Sequence, residues 1–170
     1  MYLSNKELSR AIQNDLKAAG VPRAAYSIRV QDCGYSVSVR INIKDLAILP
    51  ADVKRIALHY QEYDRDERSG EILEGGNTYV FVQYDFETLQ AAQEEFLPHA
   101  VTIRGKGYQE IMKHKNGNRL VYLDTYDGEG FLYVKVPGQE NIPTMERFYC
   151  RSSNTLAEGM AIFTATGRLN

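Results

Sequence analysis

The chain has no tryptophan, only two cysteines and three histidines, and each shortage removes a class of protein. No window approaches the roughly 18 consecutive apolar residues that a membrane-spanning helix requires. The opening residues, MYLSNKELSR, have no apolar run after their charges, so no secretory leader is expected and the location reads as cytoplasmic. Cys33 and Cys150 have no CxxC spacing and read as free thiols of a reducing compartment rather than as one disulfide. No histidine lies near Cys33 in sequence, and a thiol nucleophile needs a base or a depressed pKa. The Gly105-Lys106-Gly107 and Gly128-Glu129-Gly130 triplets lack the third glycine and the strand-to-helix setting of a dinucleotide fingerprint. No catalytic residue, metal ligand or cofactor is expected.

What is present is ordinary globular material. With 44% hydrophobic and 25% charged residues over 170 positions, one cooperative unit with a real core is the default. Ser4 and Glu7 have capping-box spacing, Leu8, Ile12 and Leu16 recur every fourth residue, and Gly20 with Pro22 stops the run, which predicts a first helix. Tyr26, Ile28 and Val30 alternate with polar residues, Asp32-Cys33-Gly34 turns the chain, and Tyr35, Val37, Val39, Ile41 and Ile43 alternate again, which predicts a hairpin with one buried face. Pro50 suits a helix start, and Val53, Ile56, Ala57 and Tyr60 mark the inner stripe of a second helix. An acid-rich loop and a Gly-Gly-Asn turn then lead to a strand over 78–84. Asp85 reads as the cap of a third helix with Phe86, Leu89 and Phe96 inside, ended by Pro98.

Beyond Pro98 the pattern becomes strand-like. Val101 and Ile103 hint at a short strand, Lys115-Asn116-Gly117-Asn118 is a strong hairpin turn between 108–114 and 119–125, and a further turn at 127–130 leads into 131–136. A loop follows over 137–143, then a last strand at 147–151, and 156–166 reads equally as helix or strand. The fold class is therefore α+β: an αββαβα two-layer module over 1–97 with helices on one side of a mainly antiparallel sheet, then a β-meander extension over 98–170 packed with it as one unit.

Charge is distributed unevenly around a net of -2. Residues 61–97 hold ten acids against Arg65 and Arg68, whereas residues 98–125 hold Arg104, Lys106, Lys113, Lys115 and Arg119 against Glu110 and Asp124. Opposed patches of this kind either steer charged partners or are solvated surface. Asp64, Asp66, Glu67, Glu71 and Glu74 form a candidate acidic docking segment. They do not make a calcium loop, because a loop begun at Asp64 would put Arg68 at a ligand position, Ser69 where glycine turns the chain, and Gly75 where a bidentate acid belongs. Twelve tyrosines are the other imbalance. Arg104, Lys106, Tyr108, Lys113, Lys115, Arg119 and Tyr122, with Tyr126 beyond, place bases and aromatics on one hairpin, a candidate basic and aromatic surface of the kind on which nucleic-acid bases stack. With a pI near 5.9 the whole protein is not an electrostatic footprint for DNA, so such contact would be local.

The segments KELSRAIQNDLKAAG, YSIRV, YSVSVRINIKD and VKRIALHYQEYDRDERSGEILEGGNTYVFVQYD, spanning residues 6–85, resemble the large polyvalent protein-associated domains of phage and conjugative-element proteins. The resemblance implies a non-enzymatic role in a mobile element inside a bacterial host, such as countering a defence system by binding a host or element-encoded protein. The alternative expected from the residues themselves is a nucleic-acid-binding accessory protein that uses the basic, tyrosine-bearing hairpin. Either form is expected to be a monomer or a homodimer without a membrane association.

Overall fold

A computed structural model describes residues 3–73, 76–125, 127–139 and 147–169. The chain divides into two compact units, Met1–Asp85 and Phe86–Asn170. In the first, helix α1 (Asn5–Ala18) opens on the expected capping box: the Ser4 amide donates to Glu7 Oε2 at 2.9 Å and the Glu7 amide donates back to Ser4 Oγ at 3.4 Å. Its Leu8, Ile12 and Leu16 face is buried. Strands β1 (Tyr26–Cys33) and β2 (Ser36–Ile43) pair antiparallel, helix α2 (Pro50–Ala57) starts on its proline, and β3 (Asn77–Tyr84) pairs parallel to β2. The inward rows of this three-stranded sheet are apolar, for example Val30, Val39 and Val80 and then Tyr26, Ile43 and Tyr84. The outward side carries Arg29, Arg40 and Phe81 in one row. Tyr60, just past α2, donates its hydroxyl to Asp15 Oδ2 at 2.6 Å and ties the two helices together.

The second unit begins with α3 (Phe86–Ile103), followed by β4 (Gln109–Lys113), β5 (Arg119–Asp124), β6 (Gly130–Lys135), β7 (Arg147–Cys150) and α4 (Ser153–Thr166). The four strands form an antiparallel sheet in the order of the chain. Together the two mostly antiparallel sheets and four helices make an α+β fold, as the periodicities indicate. Three details differ from the sequence reading. The boundary drawn at residue 97 falls inside α3, which belongs wholly to the second unit. Pro98 does not end α3, and residues 101–103 are helix rather than strand, because Ala92, Phe96, Ala100 and Ile103 form a continuous inner stripe. Pro98 itself is exposed, as is Glu94, so the helix carbonyl that loses its partner lies on the wet side. Phe86 is 76% exposed and is not an inner residue.

The ambiguous tail is α4, and it is the centre of this unit. Ser152 and Thr155 cap its start, Gly167 in the left-handed region ends it, and every residue from Leu156 to Phe163 except Glu158 is buried. Gly159 allows the close approach to the sheet, since a Cβ there would lie 2.4 Å from Leu132 Cδ1. The core collects Leu120, Tyr122, Leu132, Val134 and Cys150 from the sheet against Ala100, Leu156, Met160 and Phe163 from the helices.

Candidate functional site

Strand register decides which of the basic and aromatic residues share a surface. On the side of the second sheet away from α3 and α4, Lys113, Arg119 and Lys135 stand in one row across β4, β5 and β6. Glu110, Val121, Tyr133 and Arg147 form the next row, and Leu123, Phe131 and Tyr149 the third. This face is open: Tyr149 and Leu123 are each 41% exposed, while Val121 at its centre is fully buried beneath its neighbours. The Phe131 and Tyr149 rings meet at a centroid distance of 4.9 Å, and the Arg151 guanidinium lies 5.6 Å from the Tyr149 ring. Tyr108, just before β4, accepts a 2.7 Å hydrogen bond from Lys135 Nζ, which also lies 5.3 Å from its ring centre. That contact holds the Lys135 ammonium above its ordinary pKa. Burial, with the charge of Tyr108 behind it, raises the Tyr133 phenol. Four cations therefore share the three rows with one acid, Glu110, which pairs with Arg119 at 3.2 Å.

Of the residues singled out in the sequence, Tyr108, Lys113 and Arg119 belong to this face. Lys115 is exposed on the following turn and Lys106 on the Gly105–Gly107 loop. Tyr122 does not belong to it. It alternates to the helix side, is fully buried, and cannot stack on a ligand. Its hydroxyl has no well-formed hydrogen bond among the described residues. Burial first, then the nearby Asp124, pushes its pKa up to about 12. Arg104 is likewise held away from the open face: its guanidinium donates to the carbonyls of Gly128 and Arg151. Asp124 resists ionisation through burial, but Tyr122 and the amides of Gly107 at 2.7 Å and Gly105 at 3.1 Å outweigh that and hold its carboxyl below the usual range. Arg104, Asp124 and the three glycines line a cavity of about 660 Å³ at this end of the sheet. Tyr126 lies outside the described residues.

Phe131, Tyr133, Lys135, Arg147 and Tyr149 are the members that sequence reasoning passed over. The alternation of 131–135 marks two sides of a strand, yet only pairing with β5 and β7 shows which side joins the basic row.

The acid-rich segment forms a hydrogen-bonded hairpin. The Asp66 amide donates to the Glu71 carbonyl at 2.9 Å and the Leu73 amide to the Asp64 carbonyl at 2.8 Å. Asp66 Oδ1 accepts from the Ser69 amide at 2.7 Å and the Arg68 amide at 2.9 Å, which lowers its pKa and fixes the turn. The buried Asn77 stitches the hairpin to β3, accepting from the Asp64 amide and donating to the Leu73 carbonyl, both at 2.8 Å. Asp64, Glu67 and Glu71 are exposed around it, with Tyr63, Ile72 and Leu73 also exposed. Glu74 lies outside the described residues. Of the cysteines, both free, Cys33 is exposed and Cys150 is buried, which pushes its thiol up to about 12. Among the described residues no helix is long and apolar enough to cross a membrane, and no three of the His, Cys, Asp and Glu side chains gather as a metal site. No family model, curated protein or solved structure matches this chain.

Proposed function

We propose that this protein is a non-catalytic binding protein whose β4–β7 face holds single-stranded nucleic acid. The observation that carries the reading is the open row of Phe131 and Tyr149 beside the Lys113, Arg119 and Lys135 row on one sheet face. Unpaired bases stack on aromatic rings, and phosphates follow cations. A duplex hides its ring faces, so single strands suit this surface better. The local charge is positive although the whole chain carries -2, so binding should be strongest at low salt.

Fluorescence anisotropy with labelled oligothymidylate and oligouridylate measures this directly. Tyr149→Ala should weaken binding about tenfold to a hundredfold, the loss of one stacked base worth about 1–3 kcal/mol. An affinity for both strands that is unchanged in the variant sinks the reading. In the mobile-element setting that the resemblance implies, the ligand would be a transferred or exposed strand.

A protein partner is the second reading, favoured by the apolar Tyr63, Ile72 and Leu73 exposed among acids on a hydrogen-bonded hairpin. Such a surface fits a basic partner, host or element-encoded. Charge reversal at Asp64, Glu67 and Glu71 should then abolish co-purification of a stoichiometric partner from the host, and an undiminished complex rules out docking there.

A further inference from the structure

Arg29 of β1 and Arg40 of β2 stand directly opposite one another on the outward side of the first sheet, and Phe81 of β3 completes their row. All three are exposed, Phe81 at 51%. Like charges at facing strand positions repel and destabilise a sheet. Neither guanidinium has an ion pair, hydrogen bond or ring contact among the described residues. The rows on either side hold no charge to compensate them: Gln31, Ser38 and Tyr79 flank on one side, and Ser27, Asn42 and Gln83 on the other. The acids of this unit gather instead around the hairpin anchored at Asn77, at the far end of β3.

An anion between the two guanidiniums would relieve their repulsion through charge-assisted hydrogen bonds. A bare anion would leave the rest of the face without a role. Phe81 offers a ring to stack on, and the neighbouring amides and hydroxyls can donate to or accept from base edges. We propose that this face is a second contact site for the same single-stranded nucleic acid, with a phosphate between Arg29 and Arg40 and a base against Phe81. The inference rests on the strand-binding reading of the β4–β7 face. It adds that one chain carries two platforms, so that a strand long enough to reach both binds through effective concentration.

The test compares labelled oligothymidylates of about 10 and about 40 nucleotides on the full chain at low salt, the shorter being within the span of one platform. In the variant carrying Arg29→Gln, Arg40→Gln and Phe81→Ala, affinity for the long strand should fall at least ~tenfold. The short strand should lose only about twofold, the statistical factor for one of two sites. The dependence of log affinity on log salt for the long strand should flatten by about 1.4, from about 0.7 per lost phosphate contact. Arg29→Gln alone should raise the melting temperature of the free protein, because it removes the facing charge without emptying the core. Unchanged long-strand affinity and salt slope overturn the proposal. So does a variant whose only change is a lower mass by light scattering, which would make the face a contact between two copies. The two readings fail separately: if Phe131→Ala with Tyr149→Ala changes nothing while the Arg29 variant loses the long strand, the β4–β7 reading falls and this site stands. Absence of binding at either length overturns both.

Discussion

Phe163→Ala should cost the second unit about 3–5 kcal/mol, the range for truncating a fully buried aromatic when the cavity cannot collapse. Phe163 is at 0% exposure on α4, in the cluster that joins α3, α4 and the sheet. Collapse is restricted because α4 already sits as close to the sheet as glycine at 159 permits, with Leu132 and Phe148 against that position. A loss of that size is a third or more of the total stability of a typical domain. Urea unfolding followed by helical circular dichroism measures it. Tyr149→Ala, at an exposed site, should shift the same transition by no more than about 0.5 kcal/mol. That contrast separates a folding residue from a binding residue. A Phe163→Ala loss near that of Tyr149→Ala would mean that α4 is not the centre of the core.

Alkali should destabilise the protein from about pH 9 upward, and Cys150 should account for the first part of the loss. Burial raises its thiol pKa from an ordinary 9.0 to about 12, so between these values the unfolded chain is ionised while the folded one keeps its proton. The folded state therefore binds more protons than the unfolded state in this window, and stability falls as pH rises through it. At about 1.4 kcal/mol per pH unit, the loss from this group is roughly 4 kcal/mol by pH 12. Tyr122 and Tyr60 act in the same direction from their ordinary 10.0 up to about 12. Burial is the main cause in each, with Asp124 beside the first and Asp15 beside the second. The window between pH 9 and 10 isolates the cysteine. Wild-type protein should lose about 1.4 kcal/mol there by denaturant titration, and Cys150→Ala should lose almost none. Equal slopes in the two proteins would place the thiol in water and contradict its burial. Exposed Cys33 serves as an internal control, since it alone should react with a thiol reagent in the folded state.

The first unit was readable because its signals are local. A capping box, a four-residue apolar repeat, two alternating runs and a proline at a helix start each name an element without reference to the rest of the chain. The parallel pairing of β3 with β2 was not readable. It depends on α2 carrying the chain back along the sheet, and alternation looks the same in either direction. In the second unit the local signals mislead. Pro98 is a helix breaker by type, yet it sits on the exposed side of a helix whose opposite side is held by Ala92, Ala100 and Ile103. Packing there overrides the cost of one lost hydrogen bond. The α4 segment, LAEGMAIFTAT, is apolar nearly all round, so it has no amphipathic period to distinguish helix from strand.

The candidate surface divides along the same line. Composition and spacing alone determined that bases and tyrosines crowd the second half, that acids crowd the segment before it, and that 119–124 and 130–135 are strands with two distinguishable sides. They could not determine which side faces water, because a period of two labels both sides equally. That choice belongs to α3 and α4, which bury Tyr122 with Leu132 and leave Tyr133, Phe131 and Tyr149 outside. Nor could they join Tyr149 to Phe131, or Arg29 to Arg40 and Phe81, since a cross-strand neighbour is a matter of register between segments far apart in the chain. The inventory of stacking rings and cations is thus a property of the sequence, and their assembly into two faces is a property of the folded sheets.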